Sequence, residues 1–186
     1  MARLRLLDSA TVPIGGRNLF DTGDPGAIVA ALAQVPELLQ PTLAFVGAAL
    51  GPGAASARHK EIVILRTSSR QRCRFCTDAH TPVALDAGLS PDEVRTLRGE
   101  GDAAVDDLFA DPAERALVAW VDALASATGP LADDVWGQVR SHWPEHVLVE
   151  LAVTLGATLF LNRFATGFEL PSSPDVVERL AAEGWS

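Results

Sequence analysis

Apolar residues recur at three- and four-residue intervals through most of this chain. No segment shows the period-two alternation of a half-buried strand, so helices are expected throughout. The first covers Gly26 to Leu32. Pro36 and Pro41 punctuate a second, whose apolar stretch is LLQPTLAFVGAAL, and the Gly51-Pro52-Gly53 cluster marks a turn after it. A third helix should start near Ser56 and run through KEIVILRTSS, and a fourth should end at Gly88, a good C′ residue. Ser90, Pro91 and Glu93 then spell a capping box. The acidic stretch Glu100 to Asp111 reads as a solvated loop. Asp111-Pro112 opens a helix through ALVAWVDALAS, which Gly129-Pro130 ends, and LADDVWGQVRSHW and HVLVELAVTLGATLFLNRFATGFEL complete the helices. This divides the chain into an extended N-terminal arm without strong period (1–25), a helical domain (26–170) and a short amphipathic tail (171–186). The fold class is all-α.

Composition sharpens this picture. At 186 residues the chain can bury one substantial core, and its 48% hydrophobic, 6% aromatic make-up favours helix over sheet. The formal charge of −9 argues against nonspecific attraction to nucleic acid or an anionic membrane. The opening MARLRLLDSATVPIGG lacks the apolar core of a secretory signal. The densest apolar run, Val147 to Phe168, is interrupted by Glu150, Asn162 and Arg163 and reads as a buried core helix. Two cysteines without an export signal suggest a dithiol in the cytoplasm, not a structural staple.

The candidate chemistry lies in EIVILRTSSRQRCRFCTDAH, Glu61 to His80. Cys73 and Cys76 are three apart and His80 follows four later, so one helical turn can gather two thiols and an imidazole. The C-x-x-C spacing and the neighbouring Arg72 and Arg74 favour the reactive thiolate. His80 can reach Cys76 for proton transfer, and Cys73 is placed to resolve a sulfenic acid on Cys76. Glu61 is harder to place. In one straight helix it would lie about 18 Å from Cys73, so it joins the site only through a break between them or from another subunit. Thr67-Ser68-Ser69 offers such a break, and Pro82 should kink the cysteine helix.

Other readings compete. The cysteines could be small buried hydrophobes, or zinc ligands completed by His59, His142 or His146. Pro144 between His142 and His146 suggests a helix start instead of a metal site. Arg66, Arg70, Arg72 and Arg74 read as a solvated face or subunit salt bridges, and Trp120, Trp136 and Trp143 as core or interface anchors. Glu150 sits in its helix much as Glu61 does. That register lays Asn162 on Cys73 and Ala165 on Cys76, which fits a degenerate internal repeat and a coincidence of two helical segments equally well.

The pattern E-x11-C-x2-C-x3-H, followed by AGLS, resembles the AhpD-like alkylhydroperoxidase branch of the carboxymuconolactone decarboxylase superfamily. DPAERALVAWVDAL and the LNR of LGATLFLNRFATGFEL resemble it too, over roughly Pro36 to Leu170. The resemblance implies an all-α AhpD-like fold, trimers or hexamers, and a peroxidase that needs no cofactor. In it Cys76 is peroxidatic, Cys73 resolving, and Glu61 and His80 form a proton relay. It also implies reduction of the disulfide by a lipoyl-bearing or thioredoxin-like dithiol protein. One departure stands out: Phe75 occupies the position of a second relay histidine. A decarboxylase or lactone-processing enzyme on the same scaffold, and a non-catalytic redox sensor, are the alternatives.

Overall fold

The computed structural model describes residues 2–21, 23–101 and 103–185. Among them a short 3-10 helix, Ile14–Leu19, is followed by ten α-helices and no strand. These are α1 (Ala27–Leu32), α2 (Pro36–Leu50), α3 (Ala57–Arg70), α4 (Arg74–Asp86) and α5 (Pro91–Arg98), then α6 (Val105–Leu108), α7 (Pro112–Ala125), α8 (Asp133–His142), α9 (Glu145–Phe168) and α10 (Pro174–Ala182). The protein is all-α, as its periodicity implies.

Local chemistry sets most of the boundaries. Ser56 caps α3 by accepting from the His59 N–H at 3.2 Å, and Asp111 caps α7 through Ala113 at 2.8 Å. Ser90 and Glu93 form the reciprocal capping box of α5. Gly88, at φ +90°, closes α4, where the Leu89 N–H returns to the Ala84 carbonyl at 3.0 Å.

Pro41 lies inside α2, where the helix is largely exposed and water can serve the carbonyl that the proline cannot, and Pro82 lies inside α4. Two expectations need correction. The acidic stretch is not simply a solvated loop, since it holds the single turn of α6 and buries Phe109 completely. Finally, α3 does not break at Thr67-Ser68-Ser69. It continues to Arg70, and the chain reverses at Gln71 and Arg72.

The core is built around α3, whose residues Lys60 to Leu65 are all buried. Ile62, Val63 and Leu65 pack with Val94 and Leu97 of α5, Leu117 and Val121 of α7, and Leu148, Leu151 and Leu155 of α9. A helix covered on every side must pair its polar groups internally. Lys60 meets Glu150 of α9 at 2.7 Å and also donates to the carbonyls of Ala49 and Gly51. Glu150 in turn accepts from the amides of Ala54 and Ala55. Gly53 lies so close that a Cβ there would sit 2.0 Å from Glu150 Oε1. Arg66 forms a two-point contact with Asp122 at 2.6 and 2.7 Å, and Arg70 also reaches Asp122, so part of the arginine series is spent inside the chain.

The register between Glu61 and Glu150 does not extend to matching folds. Residues 57–86 form a two-helix hairpin, whereas α9 is one unbroken helix and Glu150 serves Lys60. By length and composition α9 could cross a membrane, but its Val147, Leu148, Leu151 and Leu155 face the core. A second apolar cluster joins Leu7, Val12 and Phe20 of the N-terminal segment to α1 and Leu39 of α2.

Candidate active site

The α3–α4 turn explains how the site assembles. The Cys73 N–H bonds the Ser68 carbonyl and the Arg72 N–H the Ser69 carbonyl, both at 2.9 Å. This is the paired closure in which the C′ residue adopts left-handed geometry, and Arg72 occupies that place at φ +53°. The reversal lays α4 against α3. Glu61, 19 residues before His80, then meets it: His80 Nδ1 lies 3.0 and 3.2 Å from the two carboxylate oxygens. The Glu61 side chain is 8% exposed and that of His80 22%. With Nδ1–H donating to Glu61, Nε2 is the nitrogen left with a lone pair.

Cys73 is the N-cap of α4 and Cys76 lies in its first turn. Both thiols are free and buried. Their sulfurs are placed to share a proton. The Cys76 backbone N–H and Thr166 also donate to Cys73. Together they pull the Cys73 thiol down to about 6 against the opposing effects of burial and the Asp78 carboxylate. Cys76 moves the other way, because of that sharing, its burial and the Cys73 charge it faces. The first proton therefore leaves the pair more readily than the second.

His80 follows Cys76 by one turn, and no hydrogen bond joins the two among the described residues. The arrangement is thus two pairs, the thiols at the start of α4 and a carboxylate–imidazole contact that joins Glu61 of α3 to His80 of α4. The thiols and the imidazole thus lie about one helical turn apart along α4. Phe75 packs with the cysteines and adds apolar surface.

Sequence reading missed three contributors. Asn162 of α9 is 1% exposed, and its Oδ1 accepts from Ser68 Oγ at 3.1 Å. This bond fixes the residue whose carbonyl receives the Cys73 N–H. Thr166, one turn further along α9, supplies a donor to Cys73. Asp78 is 3% exposed and accepts from Ser172 Oγ at 2.8 Å. The register placing Asn162 and Ala165 opposite the cysteine turn was the only hint of α9's involvement. Among the described residues no cluster of three or more His, Cys, Asp or Glu side chains is arranged to hold a metal ion.

The carboxymuconolactone decarboxylase family model matches residues 36–123. Uncharacterized proteins from two strains of Mycobacterium tuberculosis are 35% identical over 91 residues, 49% of this chain and 31% of theirs. The match thus spans about a third of the length of those curated relatives. Among solved structures, a protein of unknown function from Agrobacterium tumefaciens, for which an AhpD antioxidant defence role has been suggested, is 27% identical. It covers 77% of this chain and 95% of its own, with a TM-score of 0.68. An uncharacterized peroxidase-related protein from Silicibacter sp. TM1040 is 17% identical, covers 94% and 93%, and has a TM-score of 0.79. The debrominase Bmp8 shares the fold at 15% identity, covers 84% and 82%, and has a TM-score of 0.71. Residues 36–123 thus match the carboxymuconolactone decarboxylase family model, and the chain has the all-helical AhpD-like fold.

Proposed function

We propose that this protein is a thiol-dependent peroxidase that reduces organic hydroperoxides or hydrogen peroxide through Cys73 and Cys76. The observation that carries this reading is the hydrogen-bonded thiol pair at the start of α4, one turn from the Glu61–His80 contact. The AhpD-type likeness to the Agrobacterium protein supports it.

In the proposed cycle Cys76 attacks. Its proton passes to His80 Nε2, and the imidazolium is stabilised by the Glu61 carboxylate. The Cys76 sulfur takes the distal oxygen of ROOH, the O–O bond breaks, and the departing RO⁻ takes the proton from His80 as ROH. Cys76 is now a sulfenic acid. The Cys73 thiolate attacks that sulfur and expels hydroxide, which leaves as water after protonation, and a disulfide forms. A dithiol protein, lipoyl-bearing or thioredoxin-like, returns both thiols and is itself oxidised. A lowered Cys73 thiol suits the second step, because the resolving sulfur ionises readily.

Assembly into trimers or hexamers is part of the proposal. Val149, Val153 and Phe160 on α9 and Leu38 and Phe45 on α2 are exposed apolar side chains that a second copy would cover.

The test is thiol titration of the reduced protein before and after a small excess of cumene hydroperoxide, beside Cys73→Ser and Cys76→Ser. Loss of both thiols per chain, only when Cys76 is present, supports the reading. Persistence of both, or activity on a lactone or carboxylate substrate that survives loss of both cysteines, overturns it in favour of a decarboxylase-like enzyme.

A further inference from the structure

The cysteines are 1% and 5% exposed, yet thiol chemistry needs a route to sulfur. Part of the apolar shell around them comes from the N-terminal segment. Ala2, Leu4 and Leu6 pack against the cluster formed by Cys73, Cys76, Ala31, Ala165 and Leu170. Between them, Arg3 and Arg5 point outward and are exposed. The segment Ala2-Arg3-Leu4-Arg5-Leu6 therefore alternates in and out with the period of an extended chain, apolar side down.

This strap is tied at each outward residue and at its end. The Arg3 N–H donates to the Phe168 carbonyl at 2.9 Å, and the Arg3 guanidinium pairs with Glu169. The Arg5 carbonyl accepts from Gln34 Nε2 at 2.7 Å, and the Leu7 N–H donates to the Ala30 carbonyl at 3.1 Å. Glu169, the left-handed residue that closes α9, also borders a cleft of about 170 Å³ lined by Arg72, Cys73, Phe75 and Thr166. Through the Arg3–Glu169 pair, one end of the strap thus sits beside a small cleft that reaches Cys73.

We propose that residues 2–7 form the roof of the cysteine site and set the size of the molecule that reaches sulfur. Seated, the strap admits small oxidants through the cleft beside Glu169. Lifted, it uncovers the apolar walls made by Phe75, Leu161 and Phe164 and admits larger ones. Its contacts up to the buried Leu7 are two hydrogen bonds, one exposed ion pair and the partly buried Leu4 and Leu6, the features of a segment that opens locally while Leu7 anchors it. The inference takes the cysteine pair as the reacting site, but its test does not depend on peroxide chemistry.

The test compares two neutral thiol probes on the full chain. Methyl methanethiosulfonate is small: the thiolate attacks its sulfenyl sulfur and displaces methanesulfinate. 4,4′-Dithiodipyridine is bulky: the thiolate forms a mixed disulfide and releases 4-thiopyridone, which is read by absorbance. Leu4→Ala combined with Leu6→Ala should raise the dithiodipyridine rate about tenfold or more while changing the small-probe rate far less. Arg3→Ala should raise it about two- to fivefold, the range an exposed ion pair allows. The exchange of Arg3→Glu with Glu169→Arg should restore it. Val139→Ala, in the main core away from the strap, should leave the ratio of the two rates at the wild-type value. The proposal fails if both probes accelerate equally, if Val139→Ala reproduces the change, or if the strap variants leave the ratio unmoved. Should the double variant not fold, Arg3→Ala and the charge exchange decide. If both probes behave as described and peroxide does not oxidise the thiols, the strap stands and the peroxidase reading falls.

Discussion

His80 Nδ1 lies 3.0 Å from a carboxylate oxygen of Glu61, although a straight helix through the cysteine motif would hold the two far apart. The reversal at Gln71 and Arg72 makes the contact, and it fixes which imidazole nitrogen remains available one turn from Cys76. A positioned acid–base group contributes roughly 10²- to 10⁴-fold. His80→Ala should therefore lower the rate of peroxide consumption about a hundredfold, and Glu61→Gln should lower it less, with helix content unchanged. Rates within twofold of the parent for both variants would remove the relay from the mechanism.

The thiol pair predicts opposite pH shifts in two single variants. Cys76→Ala removes the donor that holds Cys73 down, so the Cys73 alkylation midpoint should rise above about 6. Cys73→Ala removes the acceptor and the charge that hold Cys76 up, so the Cys76 midpoint should fall from its parent value. Iodoacetamide rates against pH measure both, and a Cys73 midpoint that stays put or falls in Cys76→Ala would contradict the shared-proton arrangement.

The same shift links stability to pH. Cys73 has a folded-state midpoint lowered from 9.0 to about 6, so between these values the unfolded chain binds the extra proton. Its contribution is lost as pH falls through 6 and grows as pH rises toward 9. Urea midpoints of the parent relative to Cys73→Ser should therefore increase from pH 6 to pH 8. A difference that is flat or declines across that window would count against the charge on Cys73.

Arg72 closes α3 at φ +53°, a conformation that costs an L side chain free energy that glycine avoids. Arg72→Gly should stabilise the fold by up to about 1 kcal/mol, whereas Arg72→Val should cost about that much or more, because a branched Cβ tolerates left-handed geometry poorly. Thermal denaturation of the two variants distinguishes them by sign.

Lys60 is 3% exposed and shares Glu150 with the amides of Ala54 and Ala55. Removing the carboxylate strands a buried ammonium, so Glu150→Ala should cost about 3 kcal/mol and loosen the α2–α3 loop. The double variant with Lys60→Met should recover part of that loss. Equal destabilisation by the single and double variants would show that the ion pair is not what Glu150 supplies.

Much of the fold was legible because helix boundaries are local. Ser56, Ser90 with Glu93, Asp111 and Gly88 each act on backbone groups within a few residues, and all were found where expected. The break after α3 was misplaced because the residue in left-handed geometry is arginine, so the usual glycine signal is missing. The strap was overlooked although A-R-L-R-L alternates, because five residues are too few for a period to stand out without the surface they cover.

What the sequence by itself determined is therefore the helical class, most of the caps, and the closeness of Cys73, Cys76 and His80. All follow from backbone geometry over a few residues. The tertiary structure alone decided that Glu61 faces His80, that Asn162 braces Ser68 from 94 positions away, and that Ala2, Leu4 and Leu6 pack on the cluster that holds the thiols. Those contacts depend on how helices pack around α3, and packing is settled by the whole buried surface at once, not by any one segment's pattern.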